Sequence, residues 1–576
     1  MPVYKGTAIS GSVFVGKVKI YKQWQLPSFP KTINKSQIKA ELKKLKSGIS
    51  QLENNIRSVL QDADISQLDK DILNTHLMIV TDIEITQILE NAVVSNLASA
   101  PYAVSSSFET IIKNFEQMEN NYIAQRADDY KDIAHQLLSI ILNVKERTNL
   151  KFKQDDIVFL HEITPSLVSN LAKAGVKAYC TEHGSHTSHS SILSRAMGFT
   201  AIVVSEEIIY KLKDGDQAVL DAEGNKVIIK PNPTQINIYA QKLHALKEKE
   251  DFLKSQSDLP AITKTKVKIN IKANIEYPGE VANVLDNNCD GIGLFRTEFI
   301  YLNRVALPDE EEQTNVYSNL IKKLNNLPVI IRTFDLGGDK LSYMQQFVRE
   351  ENPFLGCRGI RFSLQQTSLF KTQVKAILRA SVYGKVSIMF PMIISMDDFV
   401  IAKELVSECK AELNRSGIKF NKNVPIGAMI ETPSAALSSD HLANVCDFFS
   451  LGTNDLVQYT LAVDRNNDKV APYYIQHHPA VLMLIKQTVL SAKKAGIPVS
   501  ICGEMASELM YVPLLVGLGI NEFSINPAKA SAVKAVIRNC DKKLFEIISG
   551  FDFNTSIADI ENLLKHTLKP YYTIQS

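Results

Sequence analysis

From about residue 265 to its end, the chain repeats one unit eight times, a short apolar run followed by a helical pattern. The runs are VKINIKAN, GIGLF, PVIIRTF, VSIMFPMI, PIGAMIE, CDFFSLG, IPVSIC and INEFSI, spread over about 310 residues. Short apolar stretches of this kind, separated by helical patterns, read as strands. Eight such units in that length predict a (β/α)8 barrel, a fold that keeps its chemistry at the C-terminal ends of its strands. Arg296, Arg332, Glu431, Asn454, Asp455 and Cys502 all fall at or just beyond those ends.

The preceding half has a different texture. VYKGTAISGSVFVGKVKIY reads as short strands punctuated by glycines. From about residue 34, Ile38, Leu42, Leu45, Ile49, Leu52, Ile56 and Val59 alternate at spacings of four and three, a helical seam of the coiled-coil type. Helical patterning continues to about residue 146 through Phe108, Ile111, Phe115, Met118 and Tyr122. A bundle of this kind packs its own stripes and can also serve as a docking platform. Strands return after residue 150 (DDIVFL, VKAYC, TAIVV, QAVLDA, KVIIK), alternating with SLVSNLAKAG and SSILSRAMG, which predicts a small α/β unit. Pro231 and Pro233 then lead into QKLHALKEKEDFLKSQS, a charged stretch with few apolar anchors. The expected organisation is a multidomain α/β protein: an α/β domain from 1–24 and 147–230, a helical insertion at 25–146, a helical linker at 231–262 and the barrel at 263–576.

Composition excludes several classes. Among 576 residues, 64 lysines and arginines face 62 aspartates and glutamates, leaving a formal charge of +2 and no case for bulk nucleic-acid or anionic-membrane binding. No apolar run approaches the roughly 20 residues that span a bilayer, so no membrane insertion is expected. MPVYKGTAIS carries no charged-then-apolar secretory signal. Seven scattered cysteines (180, 289, 357, 409, 446, 502 and 540), with no CxxC, suit a reducing cytoplasm.

At the barrel ends the residue types converge on a polyanion. Arg296, Arg332, Arg358, Arg361 and Arg465 offer guanidinium forks that hold carboxylates and phosphates bidentately. Glu431 in AMIETP and Asp455 in GTNDL are hard oxygen ligands of the kind Mg2+ takes one or two at a time. Gly337, Gly338 and Gly452 leave backbone room near phosphate oxygens. Cys502 in SICGEM, with an ordinary thiol pKa of about 8.5, is protonated at neutral pH and suited to general-acid work toward a carbanion or enolate.

A second motif lies upstream. In TEHGSHTSHSS, His183, His186 and His189 precede the apolar pattern ILSRAMG. The spacing of three and three rotates around a helix and does not complete a tetrahedral zinc set. Hydroxyls clustered around His189 at the start of a helix instead suit a phosphoryl group on a ring nitrogen, because a helix N-terminus receives anionic oxygens. A neutral imidazole is nucleophilic near pH 7 and could accept that group and pass it on.

Together these segments resemble the Enzyme I family of the bacterial sugar phosphotransferase system over essentially the whole chain. GSHTSHSSILSRA is similar to the family's phosphohistidine signature. GIGLFRTEFIYLNR, IRTFDLGGDK, EENPFLGCRGIR, IMFPMI, ETPSAA, DFFSLGTNDLVQYTLAVDRNND and ICGEM are similar to its phosphoenolpyruvate-binding barrel segments. The resemblance implies that His189 is phosphorylated and that Arg296, Arg332, Arg358, Asn454, Asp455 and Arg465 bind phosphoenolpyruvate. It further implies that Glu431 and Asp455 hold Mg2+ and that Cys502 protonates the enolate. The helical insertion would bind the small phosphocarrier protein HPr, with His76 and Arg126 near that interface, and the barrel would form a homodimer. The chain departs from the family's usual residues at Ser185, where a second small residue is common, and at His186, where arginine is common. The expected activity is transfer of phosphoryl from phosphoenolpyruvate to His189 and on to a histidine of HPr, releasing pyruvate, as the first step of sugar uptake. Two other readings are a catalytically idle homologue that binds HPr for regulation, and a dikinase. The second would need a large ATP-binding domain, yet only 188 residues precede His189 and no GxxxxGK[ST] occurs.

Overall fold

A computed structural model describes the chain except residues 1, 22–28, 61–72, 74–75, 117–120, 145–151, 185–188, 302–306, 338–349, 351, 466, 468 and 575–576. A few side chains within helices, those of Arg126 and His189 among them, also lie outside the description. The chain forms two compact units, Met1–Lys247 and Glu248–Ser576.

The first unit is built on a mixed sheet of eight strands: β1 (Val3–Lys5), β2 (Thr7–Ser10), β3 (Val13–Ile20), β4 (Asp156–Leu160), β5 (Ala178–Thr181), β6 (Thr200–Val203), β7 (Gln217–Asp221) and β8 (Lys226–Ile229). They run in the order β1-β8-β7-β3-β4-β5-β6-β2. β3 to β6 are mutually parallel, and antiparallel β7 and β2 flank that block. Alternation along β4 explains the burial of both faces. Ile157 and Phe159 enter one apolar cluster, while Val158 and Leu160 enter another.

Between β3 and β4 come the helices Ile38–Leu60, Ile83–Ser95, Ala100–Glu116 and Asn121–Ile141. Leu45, Leu52 and Ile56 are buried in their shared core with Leu89, Val93, Phe108 and Leu137. The predicted seam does not run the full length of the first helix, since Val59 is 40% exposed. A straight helix of 3.6 residues per turn drifts away from a strict 3.5 repeat, so the last position of the seam turns out of the bundle. The helix Pro233–Ser255 differs from expectation as well. Tyr239 in its second turn packs against Val13, Val219 and Ile228, and its hydroxyl donates to Asp221 Oδ2 at 2.8 Å. The start of the linker stretch is therefore docked on the sheet.

The second unit is a closed barrel of eight parallel strands: β9 (Asn270–Ile275), β10 (Ile292–Phe295), β11 (Val329–Arg332), β12 (Val386–Phe390), β13 (Ile426–Ile430), β14 (Phe449–Leu451), β15 (Val499–Ile501) and β16 (Glu522–Ile525). All eight apolar runs picked from the sequence form these strands, and β16 closes on β9 with Ile525 opposite Ala273. Inside the barrel, Leu294, Ile330, Met389, Met429, Phe448 and Cys502 form a small cluster separate from the large core between strands and helices. Arg332 lies two residues beyond Ile330 on β11 and so shares its inward face at the C-terminal end. Among the described residues no helix is long and apolar enough to cross a membrane.

Candidate active site

Six charged groups meet where β10, β11, β13 and β14 end. Arg332, the last residue of β11, is 8% exposed and donates from Nη2 to Glu298 Oε1 at 2.8 Å, with Nη1 3.6 Å from Asp335 Oδ2. Arg358 is 7% exposed. It grips Asp335 bidentately, with Nε 3.0 Å from Oδ1 and Nη2 on Oδ2. Its Nη1 donates to the Tyr459 hydroxyl at 3.2 Å and lies 3.7 Å from Asp455 Oδ1. Glu431 follows β13 and accepts the Met392 N–H at 2.6 Å. Burial alone would lower the pKa of both arginines, but the carboxylates outweigh it and hold them firmly charged, Glu298 first for Arg332 and Asp335 first for Arg358.

The sum of these charges is informative. Two guanidiniums, Arg332 and Arg358, face four buried carboxylates, Glu298, Asp335, Glu431 and Asp455, a net of −2 if all are ionised. Burial, then the neighbouring charges of Asp455 and Asp335, push the Glu431 pKa up to about 8. Asp455 Oδ1 is buried without a hydrogen-bond partner. An excess of buried negative charge with an orphaned carboxylate oxygen fits a divalent cation, and oxygen-only donors fit Mg2+. Among the described residues no group of three or more histidines, cysteines or carboxylates is placed to hold a metal by itself. Mg2+ does not require one, because it keeps waters and takes substrate oxygens.

Local sequence sets this geometry. Thr432 caps the helix Pro433–Leu437, and its Oγ1 accepts the Ala435 N–H at 3.2 Å, ending β13 right at Glu431. A Cβ on Gly452 would lie 2.8 Å from Glu431 Oε2, and one on Gly503 would lie 1.8 Å from Thr453 Oγ1. Gly452 thus makes room for the Glu431 carboxylate. Gly337 bridges to Arg358, and Gly338 lies outside the described residues.

Cys502 follows β15, is 4% exposed, and lies 3.5 Å from the Leu451 carbonyl that its thiol reaches. Burial pushes the thiol up to about 11, above the ordinary value assumed from sequence, which leaves it firmly neutral at pH 7. Arg296 and Arg332 both act on it electrostatically, so thiol and guanidiniums share one region. Asn454 Oδ1 accepts the Glu504 N–H at 2.9 Å, which ties the helix Thr453–Leu461 to the loop after Cys502.

The remaining arginines divide. Arg296 stands at the rim, 39% exposed at its side chain and paired with Glu276. Arg465 is exposed beyond the same helix, and its backbone N–H donates to Gln458 Oε1 at 3.2 Å. Arg361 donates instead to the carbonyls of Leu355 and Gly356, at 3.2 and 3.1 Å, and so holds its own loop. Glu298, Asp335 and Tyr459, which organise the buried arginines, were not singled out from sequence. Glu298 and Asp335 nevertheless sit inside RTEF and FDLGGD, directly after two barrel strands.

In the first unit, His189 opens the helix His189–Ala196, while Ser185 and His186 fall outside the described residues. His76 is 1% exposed, with Nε2 3.5 Å from Asp129 Oδ1. A side chain so enclosed cannot touch a docked protein directly, so the expectation for His76 is corrected to a role inside the bundle. Arg126 belongs to the helix Asn121–Ile141.

A barrel with buried arginines and carboxylates at its C-terminal end, preceded by an α/β sheet with an inserted helical bundle, is the architecture to set beside known families. The family models agree: the N-terminal model of PEP-utilising enzymes matches residues 5–126, the mobile domain 152–224 and the PEP-binding domain 250–542, the last just over half of the chain. The phosphoenolpyruvate-protein phosphotransferase of Geobacillus stearothermophilus is 34% identical over 542 residues, covering 93% of each chain. That of Priestia megaterium is 32% identical over 570 residues, covering 99% of each. An NMR solution structure of Enzyme I aligns with 42% of this chain and 99% of its own at 24% identity, with a TM-score of 0.37 that is too low to bear on the fold. The chain belongs to the phosphoenolpyruvate-protein phosphotransferase family.

Proposed function

We propose that this chain moves the phosphoryl group of phosphoenolpyruvate to His189 and then to a histidine of HPr, as the entry step of a sugar phosphotransferase system. The observation that carries the barrel half of this reading is the pair of buried arginines beside a neutral thiol at the C-terminal ends of the barrel strands. Arg332 and Arg358, with Arg296 and Arg465 at the rim, hold the carboxylate and phosphate of the substrate, and Asn454 and Asp455 flank the phosphate. Neutral His189 attacks phosphorus in line. The N–P bond forms as the P–O bond breaks, and the electron pair leaves on the enolate oxygen. Cys502 donates its proton to the enolate carbon to give pyruvate and regains a proton from solvent. Glu431 and Asp455 would hold Mg2+, which supplies charge neutralisation at the phosphoryl oxygens when bound.

The second half of the reading assigns 25–146 to HPr binding, with Arg126 at that interface and His76 supporting it from within. Residues 1–24 and 147–230 carry His189, 231–262 link that domain to the barrel at 263–576, and two copies pair through the barrel in the cytoplasm. Radiolabelled phosphoenolpyruvate with Mg2+ tests the reading. Acid-labile, base-stable label on the wild type and none on His189→Ala is expected, and an unlabelled wild type refutes it.

A further inference from the structure

A cavity of about 620 Å3 lies in the barrel unit, away from the arginine cluster. The helix Ala530–Asn539 follows β16 and packs back along the barrel, so its last residues, Arg538 and Asn539, reach the N-terminal ends of the strands. The Lys264 N–H donates to the Cys540 carbonyl at 2.8 Å, which fixes the segment before β9 against that helix end. The volume is that of a small-molecule site.

The lining combines two chemistries. Lys264, Arg538 and Lys543 are cationic, and Phe252, Ile547 and Ile574 are apolar. Among the described lining residues Asp541 is the single carboxylate. Its Oδ1 is already engaged, accepting the Leu544 N–H as cap of the helix Lys542–Gly550 and the Tyr571 hydroxyl, each at 3.1 Å. Arg538 is half-buried and donates to two neutral acceptors, the Leu259 carbonyl at 3.3 Å and Gln256 Oε1 at 2.8 Å. A guanidinium has five N–H donors, so the others are left for a ligand. Burial lowers the Arg538 pKa, and no carboxylate acts against it. Among the described residues Lys264, Arg538 and Lys543 form no ion pair, whereas on the same unit Arg379 is held by Glu310 and Glu311, and Lys371 by Glu408 and Glu412. Three cations against one carboxylate leave a formal +2, which a phosphomonoester dianion balances.

We propose that this cavity binds a small organic phosphate, its phosphoryl oxygens on Arg538, Lys264 and Lys543 and its carbon body against Phe252, Ile547 and Ile574. The proposal does not rest on phosphoryl transfer at the barrel mouth.

The test uses the full chain and phenyl phosphate, a phosphomonoester on an apolar ring. Acylation of individual lysines by succinimidyl acetate is followed by mass spectrometry. Saturating phenyl phosphate is expected to slow the reaction of Lys264 and Lys543 about tenfold, the worth of a hydrogen bond between charged groups. Lys542, which lies outside the lining and 3.5 Å from Glu546, should react at its unliganded rate. Phenol should give no protection, and benzoate, with a single charge, much less than phenyl phosphate. Arg538→Gln should abolish protection of both lysines. If that variant does not fold, Lys264→Gln, at an exposed position, carries the same expectation for Lys543. Unprotected Lys264 and Lys543, as when the probe sits only at the barrel mouth, overturn the proposal. So does equal slowing at Lys542, or protection that survives the substitutions. Protection by benzoate or phenol equal to that by phenyl phosphate overturns the assignment to a phosphate.

Discussion

Replacing Cys502 with alanine isolates the protonation step from binding and phosphoryl transfer. Burial sets the thiol pKa at about 11, so at pH 7.5 only about 3 in 10,000 molecules carry the thiolate, against roughly 1 in 10 for an ordinary cysteine at 8.5. The group is therefore a persistent acid. Its active form is present below pH 11 and is lost only as pH rises through that value, so it adds no acid-side limb to the rate profile. Losing a positioned general acid costs about 10²- to 10⁴-fold in rate. Pyruvate release, followed by coupled NADH oxidation, should drop by that factor in Cys502→Ala, while Mg2+ affinity by calorimetry stays unchanged. The same ionisation predicts that iodoacetamide modifies Cys502 about 300-fold more slowly at pH 7.5 than a free cysteine, before any steric protection is counted. Full turnover in the alanine variant refutes the donor role, and alkylation at the ordinary rate refutes the buried, neutral thiol on which it rests.

Other outcomes follow from the same geometry. Arg358→Met strips Asp335 of its bidentate partner and should destabilise the barrel unit by about 3–5 kcal/mol, the cost of an uncompensated buried charge, read by urea titration. Gly503→Ala places a Cβ 1.8 Å from Thr453 Oγ1. It should lose about 1–3 kcal/mol and raise the KM for phosphoenolpyruvate, because Asn454 and Asp455 move with Thr453; an unchanged KM counts against their role. Burial raises the thiols of Cys289 and Cys502 to about 11 and those of Cys409 and Cys540 to about 12. Their folded values exceed the unfolded value of about 8.5, so the stability they contribute is full below that pH and lost as pH climbs toward 11 and 12. Tm should decline steadily above about pH 9, and a Tm at pH 10.5 equal to that at pH 8 contradicts it.

The barrel was legible because eight short, largely apolar runs alternate with helical patterns at the spacing of a β/α repeat, even though β9 (NIKANI) alternates polar and apolar residues. The catalytic end was legible for a related reason: a polar residue directly after such a run must sit at the barrel mouth. What stayed hidden was pairing. Nothing in RTEF or FDLGGD shows that Glu298 and Asp335 reach across to Arg332 and Arg358, because ion pairs between strand ends depend on closure of the sheet. Gly452 reads as phosphate room in GTNDL, and the space it leaves for Glu431, in the motif before it, is not visible in the sequence. His76 looks surface-like in THLMIVTD, and its enclosure beside Asp129 depends on a helix more than 40 residues on.

The seam that closes the barrel pairs Asn270–Ala273 with Glu522–Ile525, and Lys272 Nζ binds Glu522 Oε1 across it at 2.7 Å. During synthesis β9 emerges with its partner still some 250 residues from being made. Until then it presents an unsatisfied row of amides and carbonyls to any other nascent chain, the kind of open edge that seeds aggregation. Chains cut before residue 522 keep two such edges permanently, so truncated products of this protein should accumulate as insoluble material and not as soluble partial barrels.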